Sequence, residues 1–128
     1  MNVLLDTCTF LWLNLDAAEL TRVAPDIILD TGNQLYLSAV SVSEITVKHM
    51  AGRLHLPERP ADYICSRRAL NGILSLPLDE DSVFQLPKLP GIHSDPFDRM
   101  LICQAIAHGM PILTPDQHIS AYPIRTIW

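Results

Sequence analysis

The chain has 128 residues, enough for one domain with a real core, and its 48 % hydrophobic content comes in short runs broken by Pro and polar residues, none long enough for a membrane span. A formal net charge of -5 argues against broad electrostatic wrapping of nucleic acid and leaves open a metal-assisted site that meets a single phosphate. Cys8, Cys65 and Cys103 are widely spaced and contain no Cys-x-x-Cys pair, which argues against a disulfide framework or a structural zinc site and reads as buried reduced thiols.

The opening Met-Asn-Val-Leu-Leu-Asp lacks the positive flank and long apolar region of a signal peptide, so a cytoplasmic protein is expected. Val3 to Leu5 reads as a buried strand that ends at Asp6. A helix follows at once over Thr7 to Leu15, packed through Phe10, Leu11 and Trp12, with Asp6 at its mouth. Asp16 to Gly32 is helical in pieces, the second started by Pro25 and Asp26 and closed by Gly32. Leu35 to Leu37 is the second strand, and Ser41-Val-Ser-Glu44 opens a helix that runs to about Ala51. Ala61 to Leu70, with Arg67 and Arg68, is a helical excursion between Pro60 and a third strand at Ile73 to Leu76. Asp79 to Leu86 is a short helix that the Pro87 to Pro90 segment terminates.

His93 to Pro111 carries the clearest local grammar in the chain. Asp95 sits where an N-cap belongs, Pro96 suits the first helical position, and Asp98 lies in the first turn against the positive dipole end. Phe97 to Ala107 is apolar almost all round, and Gly109 with Pro111 stops it, so the helix is expected to be mostly buried. Two carboxylates at the entry of a buried helix repel unless something cationic sits between them. Pro111 to Leu113 gives a fourth strand, ending at Thr114-Pro-Asp116, and Ile124 to Trp128 a fifth. Strands alternating with helices imply an α/β fold with a mainly parallel sheet covered on both faces.

In such a sheet, ligands bind outside the carboxyl ends of the strands. Asp6, Glu44, Asp98 and Asp116 each follow a strand directly or by way of a helix's first turn, so they are able to converge there. Four carboxylates in one cleft are costly unless a divalent cation neutralises them, and hard oxygen ligands favour Mg²⁺ or Mn²⁺. That combination suits phosphoryl chemistry. Each acid also has a plain structural explanation: Glu44 as the end of a capping box with Ser41, Asp95 as the N-cap, Asp98 as a dipole partner, Asp116 as a turn residue. Asp6 is hardest to explain away, since an apolar strand and an apolar helix enclose it. Thr7 and Thr114, beside the acids, are candidate hydrogen-bond partners for a ligand carboxylate or water, and Arg99 a candidate phosphate contact. His93 and His118 flank acids but are discounted, because scattered histidines are more often simply hydrogen-bonded. Apolar residues around Leu13 to Leu20 and Val47 to Met50 offer either a groove for an amphipathic partner helix or ordinary core.

These residues resemble PIN-domain ribonucleases, and among them the VapC toxins of bacterial toxin and antitoxin pairs. Leu-Leu-Asp6-Thr-Cys-Thr-Phe-Leu-Trp is similar to that family's opening strand and first acid, and Ser41-Val-Ser-Glu44-Ile to its second. Asp95-Pro-Phe-Asp98-Arg matches the signature of one VapC group, whose metal-binding acid falls on Asp98. Leu113-Thr-Pro-Asp116 resembles the usual Thr-x-Asp ending, with Pro115 where Arg is common. The resemblance implies one PIN-like α/β/α sandwich over residues 1–128, with about five short strands. It implies an endoribonuclease that hydrolyses RNA phosphodiesters with metal-activated water, Asp6, Glu44, Asp98 and Asp116 holding Mg²⁺ or Mn²⁺. It also implies a homodimer and a cognate antitoxin that covers the cleft. Two other readings stand beside this one: a catalytically silent PIN-like binding module, and a haloacid-dehalogenase-type phosphohydrolase, whose second Asp is replaced here by Cys8.

Overall fold

A computed structural model describes residues 1–15 and 23–128, so the first half of the helical segment expected from Asp16 lies outside the described residues. Its sheet has five parallel strands in the order β3-β2-β1-β4-β5. β1 (Asn2–Leu5) is central, between β2 (Gln34–Ser38) and β4 (Ile112–Leu113), with β3 (Leu74–Leu76) and β5 (Thr126–Ile127) at the edges. Alternate residues of a strand face opposite sides of its sheet. Val3 and Leu5 accordingly join one core with Phe10, Leu35, Leu37, Ile45, Tyr63 and Leu113, while Leu4 joins a second with Leu101, Ile102, Ile112 and Ile119. Val3, Leu4 and Leu5 have no solvent exposure, while Asn2 at the strand's start is exposed. Only a strand covered on both faces reads as an unbroken apolar run, and this is the α/β/α sandwich the alternating pattern calls for.

The first core takes side chains from α1 (Thr7–Leu15), α2 (Val23–Leu29), α3 (Ala39–Met50) and α4 (Pro60–Asn71). The second takes them from α6 (Pro96–His108) and α7 (Gln117–Ser120). α5 (Glu80–Val83) and a single 3₁₀ turn, Leu86–Lys88, replace the longer helix expected over Asp79 to Leu86; Pro87 lies within that turn.

α3 begins two residues before Ser41. Ser38, the last residue of β2, holds an extended backbone (φ -71, ψ 147) and its hydroxyl accepts the Val40 N–H, so Ser38 is the N-cap. The capping box expected between Ser41 and Glu44 does not form, which releases Glu44 from a capping role and turns it into the protein. Cys65 also departs from expectation. It lies exposed on α4, whereas Cys103 is buried and Cys8 half-buried; all three are free thiols.

α6 follows its sequence signals closely. The Asp95 carboxylate accepts the N–H groups of Phe97 at 2.9 Å and Asp98 at 3.1 Å, and Gly109 closes the helix at φ +64. Burial is confined to Leu101–Ala105, the ends being more open than an all-round apolar pattern suggests. Asp95→Ala should cost about 1 kcal/mol, because two N–H groups lose their acceptor, and chemical denaturation should register it. No described helix is long and apolar enough to cross a membrane.

Candidate active site

The sheet reverses its strand order at β1, and Asp6 stands at that strand's carboxyl end, 3 % exposed. α1 starts on the next residue, so its first amides face the carboxylate: Thr9 N–H donates to Asp6 Oδ1 at 2.7 Å. From the other side the Thr114 hydroxyl, just past β4, donates to Asp6 Oδ2. The Thr9 hydroxyl donates to the Leu113 carbonyl at 2.9 Å and ties the two segments together. The Cys8 thiol donates to Asp6 Oδ1 at 3.2 Å. Burial pushes that thiol's pKa far up, with Asp6 and Asp116 adding to the effect, so it stays a neutral donor.

Glu44 comes in from α3, 5 % exposed. Its Oε1 accepts the Thr7 hydroxyl at 2.6 Å, and its Oε2 pairs with Lys48 Nζ at 2.5 Å, one helical turn on. Thr7 thus links the start of α1 to α3, and its hydroxyl lies 3.0 Å from that of Ser41.

Asp98 occupies the first turn of α6. Burial raises its carboxyl pKa to about 6; His93 Nε2, 3.1 Å away, opposes the rise, and the negative charges of Asp95, Asp116 and Glu44 add to it. Asp116 follows β4 and caps α7, accepting the His118 N–H at 2.8 Å. Its own N–H donates to Thr114 Oγ1 at 3.0 Å, so one hydroxyl touches both the Asp116 backbone and the Asp6 carboxylate. The acids are mutual neighbours in charge: Asp98 feels Glu44 and Asp116, and Asp116 reaches Cys8 beside Asp6. An open cleft lined by Lys48, Arg53, His93, Asp95, Asp98 and Asp116 gives Asp98 and Asp116 access to solvent, while Asp6 and Glu44 lie buried behind it.

Among the described residues, no three His, Cys, Asp or Glu side chains stand close enough to cage an ion as they are. Each acid is held by its own partner instead: Thr114 for Asp6, Lys48 for Glu44, His93 for Asp98, His118 for Asp116. Arg99 is not brought to them. Its guanidinium donates to the Pro90 carbonyl and the Tyr122 hydroxyl, both at 2.9 Å, clamping the loop before α6. His93, discounted from sequence, sits in the cleft between Asp98 and the Tyr122 hydroxyl and stacks on His118 at 5.5 Å. Lys48 was not singled out either; its signal is the Glu-to-Lys spacing of four along α3.

A family model described as PIN domain matches residues 3–124. No curated protein matches the chain. Among solved structures, the fold is similar to VapBC2 from Rickettsia felis bound to a promoter DNA fragment, with a TM-score of 0.71 and 14% identity over 100% of this chain and 98% of that one. It is also similar to FitAcB from Neisseria gonorrhoeae, with a TM-score of 0.60 and 19% identity, covering 98% and 96% of the two chains. VapBC-1 from nontypeable Haemophilus influenzae matches with a TM-score of 0.62 and 15% identity, over 99% and 97%.

Proposed function

The chain belongs to the PIN-domain family, and from that membership we propose that it is a metal-dependent endoribonuclease, the VapC toxin of a toxin and antitoxin pair. The observation that supports this reading is the position of Asp6 at the carboxyl end of the central strand, with Glu44 and Asp116 near enough for their charges to act on Asp98, and Asp6 and Asp116 on Cys8. The donors are hard carboxylate oxygens, and Asp98, raised to about 6 mainly by burial and further by the charges of Asp95, Asp116 and Glu44, sits where a cation would be welcome. Both features fit Mg²⁺ or Mn²⁺. When bound, the ion would polarise the phosphodiester and make water acidic enough to attack it.

The remaining work falls to the chain's own groups. Thr114 and the Thr9 amide fix the direction of the Asp6 oxygens, and Thr7 fixes Glu44, so the ligand carboxylates are oriented before any ion arrives. Asp95 holds the first turn of α6 and with it the placing of Asp98. His93 Nε2, on Asp98 Oδ2, holds that carboxylate's orientation by a hydrogen bond. Lys48 and Arg53 on the cleft wall draw in a single phosphate despite the net negative charge of the chain.

The partner in this reading is an antitoxin with an amphipathic helix. Its apolar face lies in the groove between α3 and α4, lined by Val42, Thr46, Met50 and Ile64, where Met50 is 80 % exposed. The toxin acts as a cytoplasmic homodimer on cellular RNA. Cleavage of RNA by the purified protein should vanish in EDTA and return with Mn²⁺; full activity in chelator would refute the metal role. Sequencing of RNA 5′ ends after induction then identifies the target. The Lys48–Glu44 ion pair favours one other reading, a silent PIN module that binds its partner and no metal. Calorimetry that detects no Mn²⁺ uptake would favour it.

A further inference from the structure

Both oxygens of Glu44 are taken. Oε1 accepts from Thr7, which is 8 % exposed and fixed between α1 and α3, and Oε2 faces Lys48 Nζ at 2.5 Å. The carboxylate side chain is 7 % exposed and the lysine side chain 42 %, so one partner of this pair is buried and the other is free to swing into water. A buried carboxylate cannot lose its counter-ion without a replacement, since an uncompensated charge there is strongly destabilising. The same lysine lines the cleft that Asp98, Asp116 and Arg53 line. A cation entering among these acids therefore competes with Lys48 for Glu44, and the displaced ammonium stays in the cleft, four methylenes from a fixed backbone.

We propose that Lys48 is an exchangeable counter-ion: it neutralises Glu44 while the site lacks a divalent cation, and on displacement by that cation it turns to the phosphodiester backbone of the RNA. Lys48 is a positioning and substrate-binding residue in this scheme. It keeps an anionic pocket stable when empty, and it converts arrival of the ion into a positive charge available for substrate. The inference rests on the nuclease reading above and assigns the lysine a role in it.

Opposite effects on the two ligands test the exchange. Lys48→Met should take up Mn²⁺ about two- to fivefold more tightly than wild type by calorimetry, because a half-exposed ion pair no longer competes. In saturating Mn²⁺, the same variant should bind a cleavage-resistant 2′-O-methyl single-stranded oligonucleotide more weakly, and its log-affinity against log-salt slope should be shallower by about 0.7. Lys48→Arg, which keeps the charge, should restore oligonucleotide binding and return Mn²⁺ affinity to the wild-type value or below. Thermal melts follow the fold: Lys48→Met should melt lower than wild type without ion and gain more from Mn²⁺. Unchanged or weaker Mn²⁺ binding by Lys48→Met overturns the proposal, as does tighter Mn²⁺ binding with unaltered oligonucleotide affinity. If wild type itself takes up no Mn²⁺, the nuclease reading falls and this one with it; if wild type binds and Lys48→Met behaves identically, only the lysine's role falls.

Discussion

Asp6→Asn should reduce RNA cleavage by at least about 100-fold while leaving the protein folded, since even a group that only supports a metal ligand is worth about 10- to 100-fold. The fold survives because the substitution is isosteric at a buried point with satisfied partners. Asn keeps an oxygen for the Thr9 amide, and its NH₂ donates to the Thr114 hydroxyl in place of accepting from it. What disappears is the charge at the centre of the cleft. Labelled-RNA cleavage with a parallel circular-dichroism melt separates the two effects. An Asp6→Asn enzyme with wild-type turnover would end the assignment of Asp6 as a ligand.

Asp98→Asn should be equally inactive and yet more stable at neutral pH. Burial lifts the Asp98 carboxyl from its ordinary 3.8 to about 6, so at pH 7 the folded protein holds an ionised group that its surroundings disfavour. A rise of that size corresponds to roughly 3 kcal/mol at most, of which losing the charge-assisted bond to His93 and the dipole contribution of α6 offsets a part. A gain of about 1 to 2 kcal/mol remains, worth roughly 5 °C in melting temperature. Because the folded pKa lies above the unfolded one, the penalty in wild type is complete above about pH 6. It shrinks as pH falls and is gone below the unfolded value, where the acid is protonated in both states. The stabilisation by Asp98→Asn should follow the same course, present at pH 7.5 and absent near pH 3.5. Mn²⁺ uptake by the wild type should strengthen as pH rises through about 6, where the carboxyl of the ion-free protein ionises. A variant that is less stable than wild type at pH 7.5 would contradict this account of the site.

The parts of the molecule legible in the sequence are those decided by neighbours along the chain. Asp95, Pro96 and Gly109 frame α6 because caps and stops act within one turn, and the unbroken Val3–Leu5 run marks a strand buried on both faces. The same local logic misled at Glu44. A Ser-x-x-Glu spacing is also satisfied inside a helix, and only the extended backbone of Ser38 at the end of β2 decides where α3 starts. α7 has four residues, too few for any period to register, so the plain structural alternative for Asp116 as a candidate ligand is a turn residue in the sequence and a helix cap in the fold. The partners of the acids were less accessible still. Thr114 reaches Asp6 across the sheet, and His93 meets Asp98 through a loop folded back against Tyr122, contacts that packing determines and adjacency does not. Arg99 shows the converse, since its place next to Asp98 in sequence turns its guanidinium toward Pro90 and Tyr122.

The bond from Thr114 to Asp6 joins residues 108 positions apart, and the register of β1 with β4 spans a similar interval. Emerging from the ribosome, β1 must wait, one flank unpaired, until the segment 108 residues further on has been synthesised. Translation therefore releases the pocket finished or not at all, and no half-made chain carries the assembled set of acids.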